Sequence, residues 1–253
     1  MAVTLPWEKK KELIPFALCA RPMALIQHLP NILTLGNLVC GCLGIIYAFQ
    51  YPPYAPAYFI WAASVFDFFD GFVARTMNTS ASFGKQLDSL ADMISFGVLP
   101  AMTMYTWMSA VAPNPWIAYS AISIAAFSAL RLAKFNLDEN QKDSFVGLPT
   151  PANALLITGL VFLNPSSYAF FSNIYFLLAF TVFCSLILVA PIRLFALKFK
   201  NFTWADNKLR FTFIALSVLL LGIKQAESIS FIVLLYIIVS LAGSSFVKKK
   251  AVV

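Results

Sequence analysis

The sequence predicts an all-α, polytopic membrane bundle of about eight transmembrane helices preceded by an N-terminal interfacial segment. Three observations carry this. Of the 253 residues, 60% are hydrophobic and 11% charged, with mean hydropathy +0.79, which no soluble globule matches. The apolar residues fall into runs near the ~20 residues that cross a bilayer, separated by turn chemistry. The basic residues sort to one side of those runs.

Residues 1–28 form the interfacial segment. Lys9, Lys10, Lys11 and Arg21 are mixed with Trp7, Leu13, Ile14, Phe16 and Leu18 and interrupted by Pro15 and Pro22. Such a stretch lies on the headgroups or acts as a basic flank that fixes orientation. MAVTLPWEKKKELIPF has charges where a cleavable signal needs an apolar centre, so targeting is expected to fall to the first span. Isolated before Pro30, His28 reads as a solvated or capping histidine.

The first two spans are expected at about 32–50 and 55–77, with YPPYAP as the turn between them. The third runs from about 83 to 109 and is closed by APNP; the fourth covers about 115–136 and ends in RLAKFN before the polar loop LDENQKDSF. The fifth, about 150–163, is short, and NPSSY turns the chain into a sixth at about 170–197. Spans at about 209–223 and 228–246 complete the set, followed by KKK at 248–250. The fifth and seventh are marginal against a ~30 Å hydrocarbon layer and must tilt or borrow flanking residues.

With eight spans and both termini on the cytoplasmic side, every one of the 18 Lys and Arg residues except Lys224 falls on that side. The expected location is the cytoplasmic (inner) membrane. The net charge of +7 is therefore topological; the cations are not gathered into a nucleic-acid-reading module. Cys19, Cys40, Cys42 and Cys184 lack zinc or disulfide spacing and read as small hydrophobes.

One stretch resists this apolar reading. DFFDGFVARTMNTSASFGKQLDSLAD places Asp67, Asp70, Asp88 and Asp92 beside spanning helices, where each acidic residue costs roughly 2.5–3.5 kcal/mol at mid-bilayer. Asp67 and Asp70 are three apart and Asp88 and Asp92 four apart, so each pair shares a helical face. Joined by a short turn, the two helices can aim four hard oxygen ligands at one point, a donor set for Mg²⁺, Mn²⁺ or Ca²⁺. Two such ions about 4 Å apart form a clamp for in-line displacement at phosphorus. Gly71, Ala74 and Gly84 leave room for a phosphorylated ligand near the backbone, and Arg75 offers a fork to phosphate oxygens.

The spacing D-x2-D-G-x2-A-R-x8-G-x3-D-x3-D resembles the signature of the CDP-alcohol phosphotransferase family at all of its fixed positions: Asp67, Asp70, Gly71, Ala74, Arg75, Gly84, Asp88 and Asp92. The resemblance implies an integral-membrane enzyme with a six-helix core, usually a homodimer, that moves a substituted phosphate from a CDP-linked donor to an alcohol and releases CMP. It implies that Asp67, Asp70 and Asp88 are the main ligands of two metal ions, Mg²⁺ or Mn²⁺. Asp92 would touch one metal and act as general base, and Gly71, Ala74, Arg75 and Gly84 would line the CDP pocket. On this basis residues 29–200 are the core and 201–253 a C-terminal two-helix extension.

The acceptor must be read elsewhere. LPNILTLGNLVCGCLGI, DSLADMISFGVLPA, ALRLAKFN and FVGLPTPANA are similar to segments of the family's integral-membrane phosphatidylserine synthases from bacteria and archaea, over about residues 29–160. This implies CDP-diacylglycerol as donor and L-serine as acceptor. Arg131 could fork the serine carboxylate, and Asn37, Ser95 and Asn136 could hydrogen-bond serine or the nucleotide; helix-packing hydrogen bonds are the alternative for each polar residue. Lys134 stands where these relatives often carry arginine. Other acceptors of the same chemistry are glycerol phosphate, inositol phosphate and choline. A membrane prenyltransferase would not require Gly71, Arg75 and Gly84, and an ion-coupled transporter should show inverted repeats, which the sequence lacks.

Overall fold

Small and polar residues, not large apolar ones, form the buried face of the first helix. In the computed structural model, which describes residues 28–77, 82–137, 144–163, 173–195 and 204–250, α1 spans Leu29–Gln50 and α2 Tyr54–Thr76. The buried face of α1 is Pro30, Thr34, Asn37, Gly41, Gly44 and Ala48, at alternating spacings of four and three. Leu29, Ile32, Leu35, Val39, Leu43 and Ile46 point outward. In lipid, large aliphatic side chains gain nothing by turning inward, whereas small ones let backbones approach. The expected N-terminal segment at 1–28 lies outside the described residues except for His28.

The third span is one helical run with a defect. α3 (Ser82–Asp92) passes through a π-helical turn, Met93–Val98, into α4 (Leu99–Val111). Pro100 explains the defect: in a regular α-helix its ring would collide with the carbonyl four residues back, at Phe96. The wider turn relieves this, and the Leu99 N–H donates to Ile94 O, five residues back. Gly41 and Gly44 let α1 lie directly on this run, against Ser95 and Leu99.

Asn114 caps a 3₁₀ turn, Pro115–Ala121, by accepting from the Trp116 N–H at 3.0 Å, and α5 (Ile122–Leu137) follows. The short fifth span is α6 (Thr150–Val161). The sixth, expected to reach residue 197, is α7 (Ile174–Val189) and stops earlier. Pro191 disfavours helical geometry at Ala190, which is extended at ψ 139. The chain then forms β2 (Arg193–Phe195), antiparallel to β1 (Ser144–Val146) with Phe145 opposite Leu194. This small ribbon is the one departure from an all-helical chain among the described residues.

α8 (Trp204–Lys224) and α9 (Ser228–Lys250) form a hairpin. Phe213 and Tyr236 would lie about 34 Å apart on a continuous helix, yet their ring centroids are 5.9 Å apart. The reversal occurs at Gln225, which has φ 48. Ser230 Oγ donates to Leu156 O, and the missing side chain of Gly159 lets the Ser230 backbone approach. Val233 and Ile237 join the core cluster with Leu156, Ile157, Met104, Met108 and Leu177. By length and hydropathy, Leu29–Gln50, Tyr54–Thr76, Ser82–Val111, Pro115–Leu137 and Arg210–Leu241 can cross a membrane, and α6 and α7 are shorter apolar helices.

Candidate active site

The acidic residues converge as their spacing requires. Carboxylate oxygens of Asp67 and Asp70 on α2 and Asp88 on α3 lie within 4.8 Å of one another. Asp92, one turn beyond Asp88, is 8% exposed and close enough to Asp67 and Asp88 for their charges to interact. Among the described residues no Lys, Arg or His nitrogen stands within ion-pair distance of any of the four. Asp88 Oδ1 is buried without a hydrogen-bond partner. A concentrated negative charge with no ion-paired cation among the described residues, and one orphaned oxygen, fits a set of hard ligands for divalent cations.

α1 holds two of the carboxylates. The Thr34 hydroxyl reaches Asp70 Oδ2 at 2.6 Å, nearer than its alternative acceptor, Pro30 O at 3.0 Å. Asn37 Nδ2 donates to Asp92 Oδ1 at 3.2 Å, and Ser95 Oγ donates to the Asn37 carbonyl at 2.9 Å. Of these, Thr34 was absent from the sequence-based site. Its signal is the threonine one turn before Asn37 on the small-residue face of α1, but nothing in the sequence says which helix faces it.

A cleft of about 320 Å³ opens beside the cluster, lined by Asp70, Gly71 and Ala74 of α2, Gly84, Lys85 and Asp88 of α3, and Asn31 and Thr34 of α1. A side chain at Gly71 would meet nothing within 4 Å, so its absence widens the cleft itself. At Gly84 the first obstacle would be Asn31 Oδ1 at 3.3 Å. Three of the four residues expected to face a nucleotide thus line one cavity. Arg75 is exposed on the last turn of α2 and is not part of the cleft wall.

On the other side of Asp92, Arg131 is 8% exposed and within electrostatic reach of that carboxylate. Its Nη1 donates to Thr150 Oγ1 at 3.3 Å, and the guanidinium lies 5.1 Å from the Phe135 ring centroid. Asn136 is engaged with Ser89, donating through Nδ2 at 2.8 Å, while its backbone carbonyl accepts from Lys85 Nζ at 3.4 Å. These contacts fasten the end of α5 to the face of α3 that carries Lys85 and Ser89.

The profile of the CDP-alcohol phosphatidyltransferase family matches residues 27–242. The chain belongs to this family. It is 32% identical over 234 residues to a CDP-diacylglycerol–serine O-phosphatidyltransferase of Helicobacter pylori, covering 91% of this chain and 97% of that relative. An enzyme of the same name from Bacillus subtilis is 33% identical over 138 residues, 54% of this chain and 77% of the relative. One from Methanocaldococcus jannaschii is 37% identical over 135 residues, 53% and 60% of the two chains. Membership makes the chain a phosphotransferase, and its long apolar helices make it an integral membrane protein.

Proposed function

We propose that this phosphotransferase moves the phosphatidyl group of CDP-diacylglycerol to the hydroxyl of L-serine, forming phosphatidylserine and CMP. The observation that carries the chemistry is the convergence of Asp67, Asp70 and Asp88 beside a cleft, with Asp92 between that cluster and Arg131. The acceptor rests on the names of relatives that match up to 91% of the chain and on a buried arginine suited to a carboxylate.

Asp67, Asp70 and Asp88 would hold two divalent cations, Mg²⁺ or Mn²⁺, with Asp92 touching one. Bound there, such ions supply charge neutralisation for the diphosphate and for the departing CMP. Gly71, Ala74 and Gly84 leave space for the nucleotide, and Arg75, exposed on the last turn of α2 outside the cleft wall, is the cation offered to phosphate. Arg131 forks the serine carboxylate and aims the hydroxyl at the lipid-side phosphorus. Asn37 occupies Asp92 Oδ1, leaving Oδ2 to take the hydroxyl proton as the new P–O bond forms and the P–O bond to CMP breaks. No covalent enzyme intermediate is needed. The cluster faces the cytoplasm of the inner membrane, as the Lys and Arg partition supports. Residues 29–200 form the core of a homodimer, 1–28 lie at the lipid headgroups, and 201–253 extend the core.

The test is purified protein in detergent with CDP-diacylglycerol, Mg²⁺ or Mn²⁺, and labelled serine, glycerol phosphate, inositol phosphate or choline in parallel. Label is expected in lipid from serine. Label from another acceptor and none from serine would overturn the assignment.

A further inference from the structure

Beyond Arg131 the interior contains polar atoms with nothing to bond. Ser89 meets Asn136 and Gly97 lies against Ser128, so the third span and α5 run antiparallel. Ala154, beside Asn153, packs in one cluster with Phe96 and Leu99. Ser128 precedes Arg131 by three residues and Asn153 follows Thr150 by three, so both sit at the level of the π turn. That is one turn deeper than the Arg131–Thr150 pair.

Both residues are 0% exposed, yet Ser128 Oγ and both Asn153 side-chain atoms, Nδ2 and Oδ1, have no hydrogen-bond partner. A wholly unpaired amide at full burial is rare and costly in a folded chain. The orphans include a donor and two acceptors. A ligand that satisfies them must offer both characters, as a zwitterion does: an ammonium has three donors and no acceptor, and a carboxylate the reverse.

We propose that Ser128 and Asn153 are specificity residues that bind the α-ammonium group of an amino-acid acceptor whose carboxylate is held by Arg131. This rests on the reading of serine as acceptor and adds how it is told from other alcohols. Asn153 Oδ1 and Ser128 Oγ accept from the ammonium; Asn153 Nδ2 donates to the carboxylate beside Arg131. An acceptor lacking either charge leaves one of these groups buried and unpaired, which is the strongest form of discrimination a site offers.

Purified full-length protein with CDP-diacylglycerol and Mn²⁺ would be assayed for CMP release with L-serine, 3-hydroxypropanoate, which lacks the ammonium, and ethanolamine, which lacks the carboxylate. Asn153→Leu and Ser128→Ala should raise the KM for serine about tenfold or more while kcat and the donor KM stay within about twofold, the pattern of lost uniform binding. The preference for serine over 3-hydroxypropanoate should narrow in both. Asn153→Asp, which keeps the acceptor oxygens, should retain that preference. Without acceptor, Asn153→Leu should melt no lower than the parent, because an apolar side chain replaces an unpaired amide.

An unchanged serine KM in both variants would assign the orphaned atoms to a buried water and overturn the proposal. So would a lowered melting temperature with equal losses in kcat and donor KM, which marks packing. Wild type labelling lipid from another acceptor only would instead remove the serine reading itself, and the proposal with it.

Discussion

The Thr34 hydroxyl donates to Asp70 Oδ2 at 2.6 Å, and one turn along the same face Asn37 donates to Asp92 Oδ1. α1 carries no acidic residue, yet it fixes one carboxylate from each of the two helices that bear the cluster. The orientation of the ligand set is therefore built from three helices, of which only two contain ligands.

Partners that orient ligating carboxylates typically matter about 10–100-fold in metal affinity or activity. Thr34→Val keeps the shape and removes the donor. It should raise the Mn²⁺ concentration for half-maximal CMP release by about that factor, and Thr34→Ser should restore it. A metal titration of the three proteins checks this.

Gly71 faces the cleft with open space where a side chain would begin. Gly71→Ala should leave folding intact or stabilise α2 by about 0.5–1 kcal/mol, since glycine inside a helix is costly. Gly71→Leu should fold as well but fill the cleft, raising the donor KM about tenfold or more with little change in melting temperature. Donor titrations paired with thermal melts separate the two effects.

Much of this arrangement was legible in the sequence because carboxylates in apolar helices must be explained. The spacings of Asp67 with Asp70 and of Asp88 with Asp92 set their faces, and Gly71, Ala74 and Gly84 fell on the same cleft. What was hidden depends on which helix faces which. Thr34, Thr150, Ser128 and Asn153 are ordinary polar residues until packing puts them opposite Asp70, Arg131 or nothing at all. The π turn could have been suspected from Pro100, whose ring forbids a regular helix through Phe96. The short β ribbon has no periodicity to announce it; Pro191 marks only where α7 must stop.

Gly147 joins that ribbon to α6. It has φ +80, and an added side chain would run into the Leu188 carbonyl. Its N–H donates to Ile192 O at 2.9 Å and the Leu148 N–H to Ile187 O at 3.0 Å, so the start of α6, with Thr150, is pinned to the end of α7. Gly147→Ala combines an unfavourable backbone region, roughly 1–2 kcal/mol, with a backbone collision. The variant should melt several degrees lower in detergent and lose serine turnover more than donor affinity, as paired melts and kinetics would show.

Asp92 separates acid–base chemistry from metal holding. In Asp92→Asn the amide oxygen can still accept from Asn37 Nδ2, so the contact that seats the residue survives. The group that would take the hydroxyl proton is gone, and general-base losses run about 10²–10⁴-fold. Asp92→Asn should therefore bind CDP-diacylglycerol nearly as the parent does while kcat falls by that range. Asp67→Asn and Asp88→Asn remove charge from the three-carboxylate cluster instead and should demand more Mn²⁺ as well as turning over slowly. Donor binding and metal titration measured side by side distinguish these roles, and full turnover in Asp92→Asn would exclude it as the base.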